Sequence, residues 1–214
     1  MAALYVDPKG VYANLEGVEV WDEARDARKY AGPWPVVAHP PCARWCQLAG
    51  LVESRYPYLK AGEDGGCFEA ALAAVRRWGG VLEHPAYTKA WPAFGLQKPN
   101  RNGGWQKTVD GGWVCLVGQS AYGHRARKST WLYAVVDGVP QALDWKRPVG
   151  SHTMSWLTNH GGRWARMGKK ERNHTPPAFR DALLQLARNA PAGEGRAALE
   201  AALSGGFNPL RGHR

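Results

Sequence analysis

The segment His39-Pro40-Pro41-Cys42 sets a thiol directly behind two rigid residues. Further along, Leu82-Glu83-His84-Pro85 sets a carboxylate and an imidazole ahead of another proline. Proline fixes its own backbone and restricts the residue before it, so a cysteine held this way keeps one position, as a nucleophile must. His39 and Arg44 are the neighbours expected to lower the thiol pKa toward neutrality. Glu83 is the candidate to give or take a proton in the same reaction. Both roles require that the sulfur of Cys42 and the carboxyl of Glu83 open into one hollow.

The elements around these residues are expected to bring that about. Pro35-Val36-Val37-Ala38 reads as a buried parallel strand that stops at His39. Phe68, Ala71, Leu72, Val75 and Trp78 recur at helical spacing and end at Gly79-Gly80. Val81-Leu82 follows as a second buried strand. Strand, helix, strand implies a crossover between parallel neighbours, with both polar clusters at strand carboxyl ends, where ligands bind in open sheets. Earlier strands are expected over residues 3–7 and 18–22, with a helical stretch over 23–30. Later strands are expected over 113–117 and 130–136, joined by the basic loop Tyr122 to Lys128. Residues 91–112 read as a surface loop. A last helix spans 177–189, with Thr175 as N-cap and Phe179, Leu183, Leu184, Leu186 and Ala187 as its apolar side. Residues 1–190 form a single α/β domain in this reading, and 191–214 an Ala/Gly-rich helix with a basic tail.

Composition narrows the partners. A chain of 214 residues with 44% hydrophobic and 11% aromatic residues is folded and needs no disulfide scaffold. Lys and Arg number 28 against 18 Asp and Glu, a net charge of +10 that favours a polyanion, with DNA the expected partner. Arg163, Arg166, Lys169, Lys170 and Arg172 form the candidate phosphate-contacting segment. Of the 11 Trp, those beside a cation (Arg44-Trp45, Arg77-Trp78, Trp145-Lys146, Arg163-Trp164) suit stacking on bases, while ordinary packing accounts for most of the rest. No apolar run reaches membrane-spanning length and no apolar export segment opens the chain, so a reducing cytoplasm is the expected setting, the host's if the gene is carried by a phage. No protein partner is implied.

In sequence order, four segments resemble motifs of the cytosine-5 DNA methyltransferases. They are Pro40-Pro41-Cys42, Leu82-Glu83-His84-Pro85, the basic loop before Thr130-Trp131-Leu132, and Asn173-His174-Thr175-Pro176-Pro177. The resemblance covers residues 34–190, and the arrangement also looks like small phage-encoded proteins. It implies a Rossmann-like methyltransferase core, with a mostly parallel sheet, helices on both faces and irregular basic insertions. It implies further that Cys42 adds to C6 of a flipped pyrimidine while Glu83 stabilises the protonated N3. Arg125 or Arg127 would hold the base or the Cys42 loop, and His39, Pro41, Arg44, Trp45 and His84 would line the substrate.

The family's cofactor is S-adenosylmethionine, for which Asp7 and Asp22 are the candidate contacts. The chain departs from the pattern in two places. The loop after the first strand, Asp7-Pro8-Lys9-Gly10, has no Gly-x-Gly, and His84 stands where the family carries asparagine. Two alternatives stay open: a non-catalytic DNA-binding protein on a degenerate methyltransferase scaffold, and a pyrimidine modifier with another co-substrate. No metal is expected, since Cys42, Cys46, Cys67 and Cys115 lack C-x2-C pairing. The His-x-Glu and Pro-Cys-x-x-Cys order of a zinc deaminase is absent.

Overall fold

Short apolar runs rich in Val, Leu and Ala alternate with two strongly amphipathic helices, and the computed structural model, which describes residues 1–153 and 165–191, arranges them as one sheet between those helices. The strands are β1 (Ala2–Leu4), β2 (Glu19–Trp21), β3 (Val36–Ala38), β4 (Gly80–Pro85), β5 (Gln106–Lys107), β6 (Trp113–Gly118) and β7 (Ser129–Val135), in the order β2-β1-β3-β4-β7-β6-β5. From β2 to β4 the neighbours are parallel. From β4 to β5 they are antiparallel. The sheet is therefore mixed rather than mostly parallel. The reason is local: β6 and β7 are joined by a short connection and pair as a hairpin, and β7 then docks along the free side of β4.

Two helices cover the two faces. α2 (Cys67–Trp78) lays Phe68, Ala71, Leu72 and Val75 against Val36, Ala38 and Leu82. α5 (Pro177–Arg188) lays Phe179, Leu183, Leu184, Leu186 and Ala187 against Val37, Val81 and Leu132 on the other side. The expected apolar side of this last helix is the buried one. Its cap differs: Pro176 occupies the N-cap position with no side-chain bond, and Pro177 supplies a preset first turn, so Thr175 caps nothing.

The approach of β3 to β4 depends on glycine. Gly80 has φ +113°, and a Cβ there would collide with the Val36 carbonyl. Gly79, at φ +74°, ends α2 just before it.

Two other expectations change. Residues 23–30 hold only a 3-10 turn at Ala27–Lys29, because Asp26 sits in the left-handed region and accepts from the Arg28 amide, which blocks a continuous helix. Trp91, expected at the surface, lies in the short helix α3 (Ala90–Ala93) and is fully buried against Phe68 and Trp131. A helix without a sequence signal, α1 (Ala49–Arg55), follows the Cys42 turn. β8 (His152–Thr153) and β9 (Ala165–Arg166) form a small separate parallel pair, and α4 (Lys169–Asn173) precedes α5. No helix among the described residues is long and apolar enough to cross a membrane. The expected tail helix lies outside the described residues.

Candidate active site

Parallel pairing of β3 and β4 sets Ala38 beside Leu82, so His39, just past the end of β3, lies next to Glu83 within β4. His39 Nδ1 lies 3.0 Å from Glu83 Oε2, and His39 Nε2 lies 2.8 Å from the Tyr12 hydroxyl. On the other side of the carboxylate, Gln119 Nε2 donates to Glu83 Oε1 at 3.1 Å and to Thr130 Oγ1 at 3.0 Å. Thr130 Oγ1 in turn donates to the Lys128 carbonyl. Glu83 is thus the centre of a chain that runs from Tyr12 to β7.

Burial works against ionisation of Glu83, but the hydrogen bond and charge of His39, with Lys128 behind, overcome it and hold the carboxyl down at about 2. At neutral pH Glu83 is a carboxylate that accepts hydrogen bonds; it does not serve as a proton reservoir. Burial first, and the nearby Glu83 charge second, push the Tyr12 hydroxyl well above its ordinary value. Where Nδ1–H donates to Glu83, the other ring nitrogen, Nε2, faces the Tyr12 hydroxyl.

Cys42 is half-buried and begins a tight turn in which the Trp45 amide donates to its carbonyl. Burial, then the charge of Glu83, raise the thiol pKa, and Lys128 opposes them. The expectation of a thiol lowered by His39 and Arg44 is therefore corrected. Desolvation outweighs the nearby cation, and Arg44 is turned away to donate to the Leu59 carbonyl. The Cys42 turn is anchored through Trp45, which is buried and donates from Nε1 to Asp64. Asp64 also accepts from the Phe68 amide at the start of α2. Trp45 is thus part of the scaffold, with its ring against Phe68 and Phe94.

A cavity of about 240 Å³ opens beside the thiol, lined among others by Cys42, Cys46, His84, Tyr87 and Thr88. Side chains alternate along β4. Leu82 and His84 face α2, where His84 meets Phe68 and Trp91, whereas Val81 and Glu83 face the α5 side with Tyr12. The cavity wall is accordingly His84 rather than Glu83. Glu83 acts on the thiol through its charge from the opposite side of the strand ends. His84 is fully buried, neither ring nitrogen has a hydrogen-bond partner of good geometry, and burial pushes the imidazole down to about 4. It is neutral at physiological pH, with the Pro41 carbonyl as a weak polar neighbour.

Lys128 is, with Tyr12 and Gln119, a site residue that the sequence did not disclose. It stands at φ +38° just before β7, its Nζ donates to the carbonyls of His174 at 2.7 Å and Asn173 at 3.4 Å, and its charge acts on both Cys42 and Glu83. Burial lowers its own pKa. The signal was present as the last residue of the basic loop, but Arg125 and Arg127 drew the assignment. Arg125 pairs instead with Glu171 and His152 at the surface, and Arg127 is exposed. Pro41 is exposed at the tip of the loop.

The two candidate cofactor carboxylates are used locally. Asp7 Oδ1 accepts from the Lys9 amide, and Asp22 Oδ1 accepts from the Arg25 amide. A Cβ on Gly10 would press on Asp7 of its own turn, so that glycine serves the turn and does not open a cradle. The Asp7 turn thus offers no glycine cradle of the kind that receives S-adenosylmethionine. Of the basic segment, Lys169 and Lys170 are exposed on α4 and Arg172 is half-buried there, Arg166 lies in β9, and Arg163 lies outside the described residues. No protein-family model, curated protein or solved structure matches the chain.

Proposed function

We propose that the protein acts on DNA, with the Cys42 thiolate adding to C6 of a pyrimidine in the manner of the cytosine-5 DNA methyltransferases it resembles. The observation that carries this reading is the arrangement at the carboxyl end of β3: Cys42 follows that strand, Glu83 lies in the neighbouring β4 against His39, and with Lys128 the three groups act on one another electrostatically. In the reaction the thiol first gives its proton to solvent. The sulfur then forms a bond to C6 as the C5–C6 π bond breaks; its pair becomes a C4–C5 π bond, and the C4–N3 π pair goes to N3, which takes a proton from solvent. For this, Glu83, held ionised by His39, must release one oxygen from His39 or Gln119 and turn toward the Cys42 cavity to accept the hydrogen bond of a protonated N3, while Lys128 offsets the negative charge on sulfur and carboxylate. We read the parallel half as a Rossmann-like core, because the strand order reverses between β1 and β3, the switch point at which such sheets bind ligands. No step is assigned to S-adenosylmethionine, and the group that C5 would acquire is left to the co-substrate.

A second reading, a DNA-binding protein that forms no bond to the base, has its own support. Glu83 has both oxygens engaged and lies outside the cavity that Cys42 lines, and the thiol is raised rather than activated. The two readings part in the nucleosides of DNA from cells expressing the protein. The catalytic reading predicts a modified pyrimidine by mass spectrometry that disappears with Cys42→Ala. An unmodified nucleoside profile, or a modification that survives Cys42→Ala, assigns the protein to the second reading.

A further inference from the structure

The rim of the Cys42 cavity carries a strained aromatic. Tyr87 has φ +65°, a left-handed backbone that a bulky residue adopts only where its surroundings impose it. Its ring is 48% exposed and rests on Trp131 at a centroid distance of 5.4 Å, so one face is supported and the rest is offered to solvent. The Ala86 amide donates to the Ser129 carbonyl, which puts Tyr87 opposite Lys128, a second non-glycine residue at positive φ. Of the two, Tyr87 lines the cavity, and backbone strain of this kind clusters at sites that hold ligands.

The loop that leaves Cys42 adds more of the same chemistry. The Gly62 amide donates to the Arg44 carbonyl and the Arg44 guanidinium donates to the Leu59 carbonyl, so residues 44–62 fold back on the Cys42 turn. That fold-back displays Tyr58, 78% exposed, and Tyr56, 41% exposed, with ring centroids 6.1 Å apart and the Arg55 guanidinium over Tyr56. Lys89 is exposed two residues past Tyr87, and its amide is tied to the Trp45 carbonyl. Aromatic faces interleaved with cations stack unpaired bases and track a phosphate backbone, whereas a duplex offers no free base face to such rings.

We propose that the substrate is single-stranded DNA, with the reacting base stacked on Tyr87 above the Cys42 cavity and the adjoining nucleotides stacked on Tyr56 and Tyr58. The proposal rests on the DNA reading above and deepens it: a strand already unpaired needs no eversion step. Charge decides the occupant, since a chain of net charge +10, with Arg55 over Tyr56 and Lys89 exposed two residues past Tyr87, is complementary to a polyanion.

Fluorescence anisotropy with a fluorescein-labelled single strand and the duplex of the same sequence tests it, using the full chain at fixed salt. The single strand is expected to bind at least tenfold more tightly. Tyr87→Ala and Tyr58→Ala are each expected to weaken single-strand binding by about tenfold and to leave duplex binding unchanged, while Tyr87→Phe, which keeps the ring and guards against misfolding, binds as wild type. Equal or tighter duplex binding, or Tyr→Ala variants with unaltered single-strand affinity, overturn the inference. A covalent adduct formed only in duplex DNA sinks this inference and leaves the catalytic reading standing. Tight single-strand binding that needs Tyr87 but gives no adduct does the reverse.

Discussion

At Cys42 desolvation and two charges compete, and the balance sets when the sulfur can react. Burial and Glu83 disfavour the thiolate and Lys128 favours it, so the folded pKa lies above the ordinary 9.0 and the reactive fraction grows as pH rises toward it. Lys128→Met removes the one cation in that balance and must move the thiol further up. Alkylation of Cys42 by iodoacetamide, followed by mass spectrometry across pH, should show a midpoint displaced to higher pH by about one unit, as expected for loss of a nearby opposite charge. An unchanged midpoint would mean that Lys128 does not act on the sulfur. His39, Cys42 and Glu83 were legible in the sequence because a rigid Pro-Pro pair and a carboxylate after a short apolar run are local signals. Tyr12, Gln119 and Lys128 were not, because each reaches the site only through pairings made by distant strands, β7 above all.

The elements succeed or fail as positioning devices, and the β3–β4 contact is the narrowest of them. Gly80→Ala would drive a methyl into the Val36 carbonyl and impose positive φ on a side chain, two penalties that sum to about 3 kcal/mol or more. Urea titration should register that loss, and Cys42 alkylation should accelerate as the turn loosens; a variant as stable as wild type would contradict the register assigned to β3 and β4. Periodicity disclosed α2 and α5 because each buries one continuous stripe. It did not disclose the sheet's mixed pairing, since an apolar run buried on both faces reads the same whichever way its neighbour runs. The run at 23–30 misled for a different reason: an aspartate that satisfies backbone amides locally competes with helix formation, and its outcome depends on one φ value.

For the whole molecule, the charge of +10 is a statement about partners more than about stability. Lys169 and Lys170 are exposed on α4, and the C-terminal end of that helix is tied to the site through Lys128. Replacing both with alanine should weaken DNA binding and flatten the plot of log affinity against log salt by about 1.5 in slope, the sum of two phosphate contacts. Anisotropy titrations at several salt concentrations would show it, and an unchanged slope would return α4 to a plain solvated surface. The Trp-rich composition, by contrast, divides between roles. Trp45 and Trp91 are internal, Trp105 packs edge-on with Trp145, and Trp34 is exposed ahead of β3, while among the described residues the exposed aromatics of the cavity rim and the loop after Cys42 are Tyr56, Tyr58 and Tyr87.

The account stands on a sulfur that attacks a base. The direct measurement is intact-mass and peptide mass spectrometry after incubation with an oligonucleotide in which 5-azacytosine replaces cytosine, offered as single strand and as duplex. Addition of sulfur to C6 there sends the C6–N5 π pair to N5, which takes a proton from solvent, so the adduct needs no transferred group. A protein mass increased by the oligonucleotide, mapped to the peptide bearing Cys42 and lost in Cys42→Ala, is the predicted result. Oligonucleotide bound with no covalent mass in either form would contradict it.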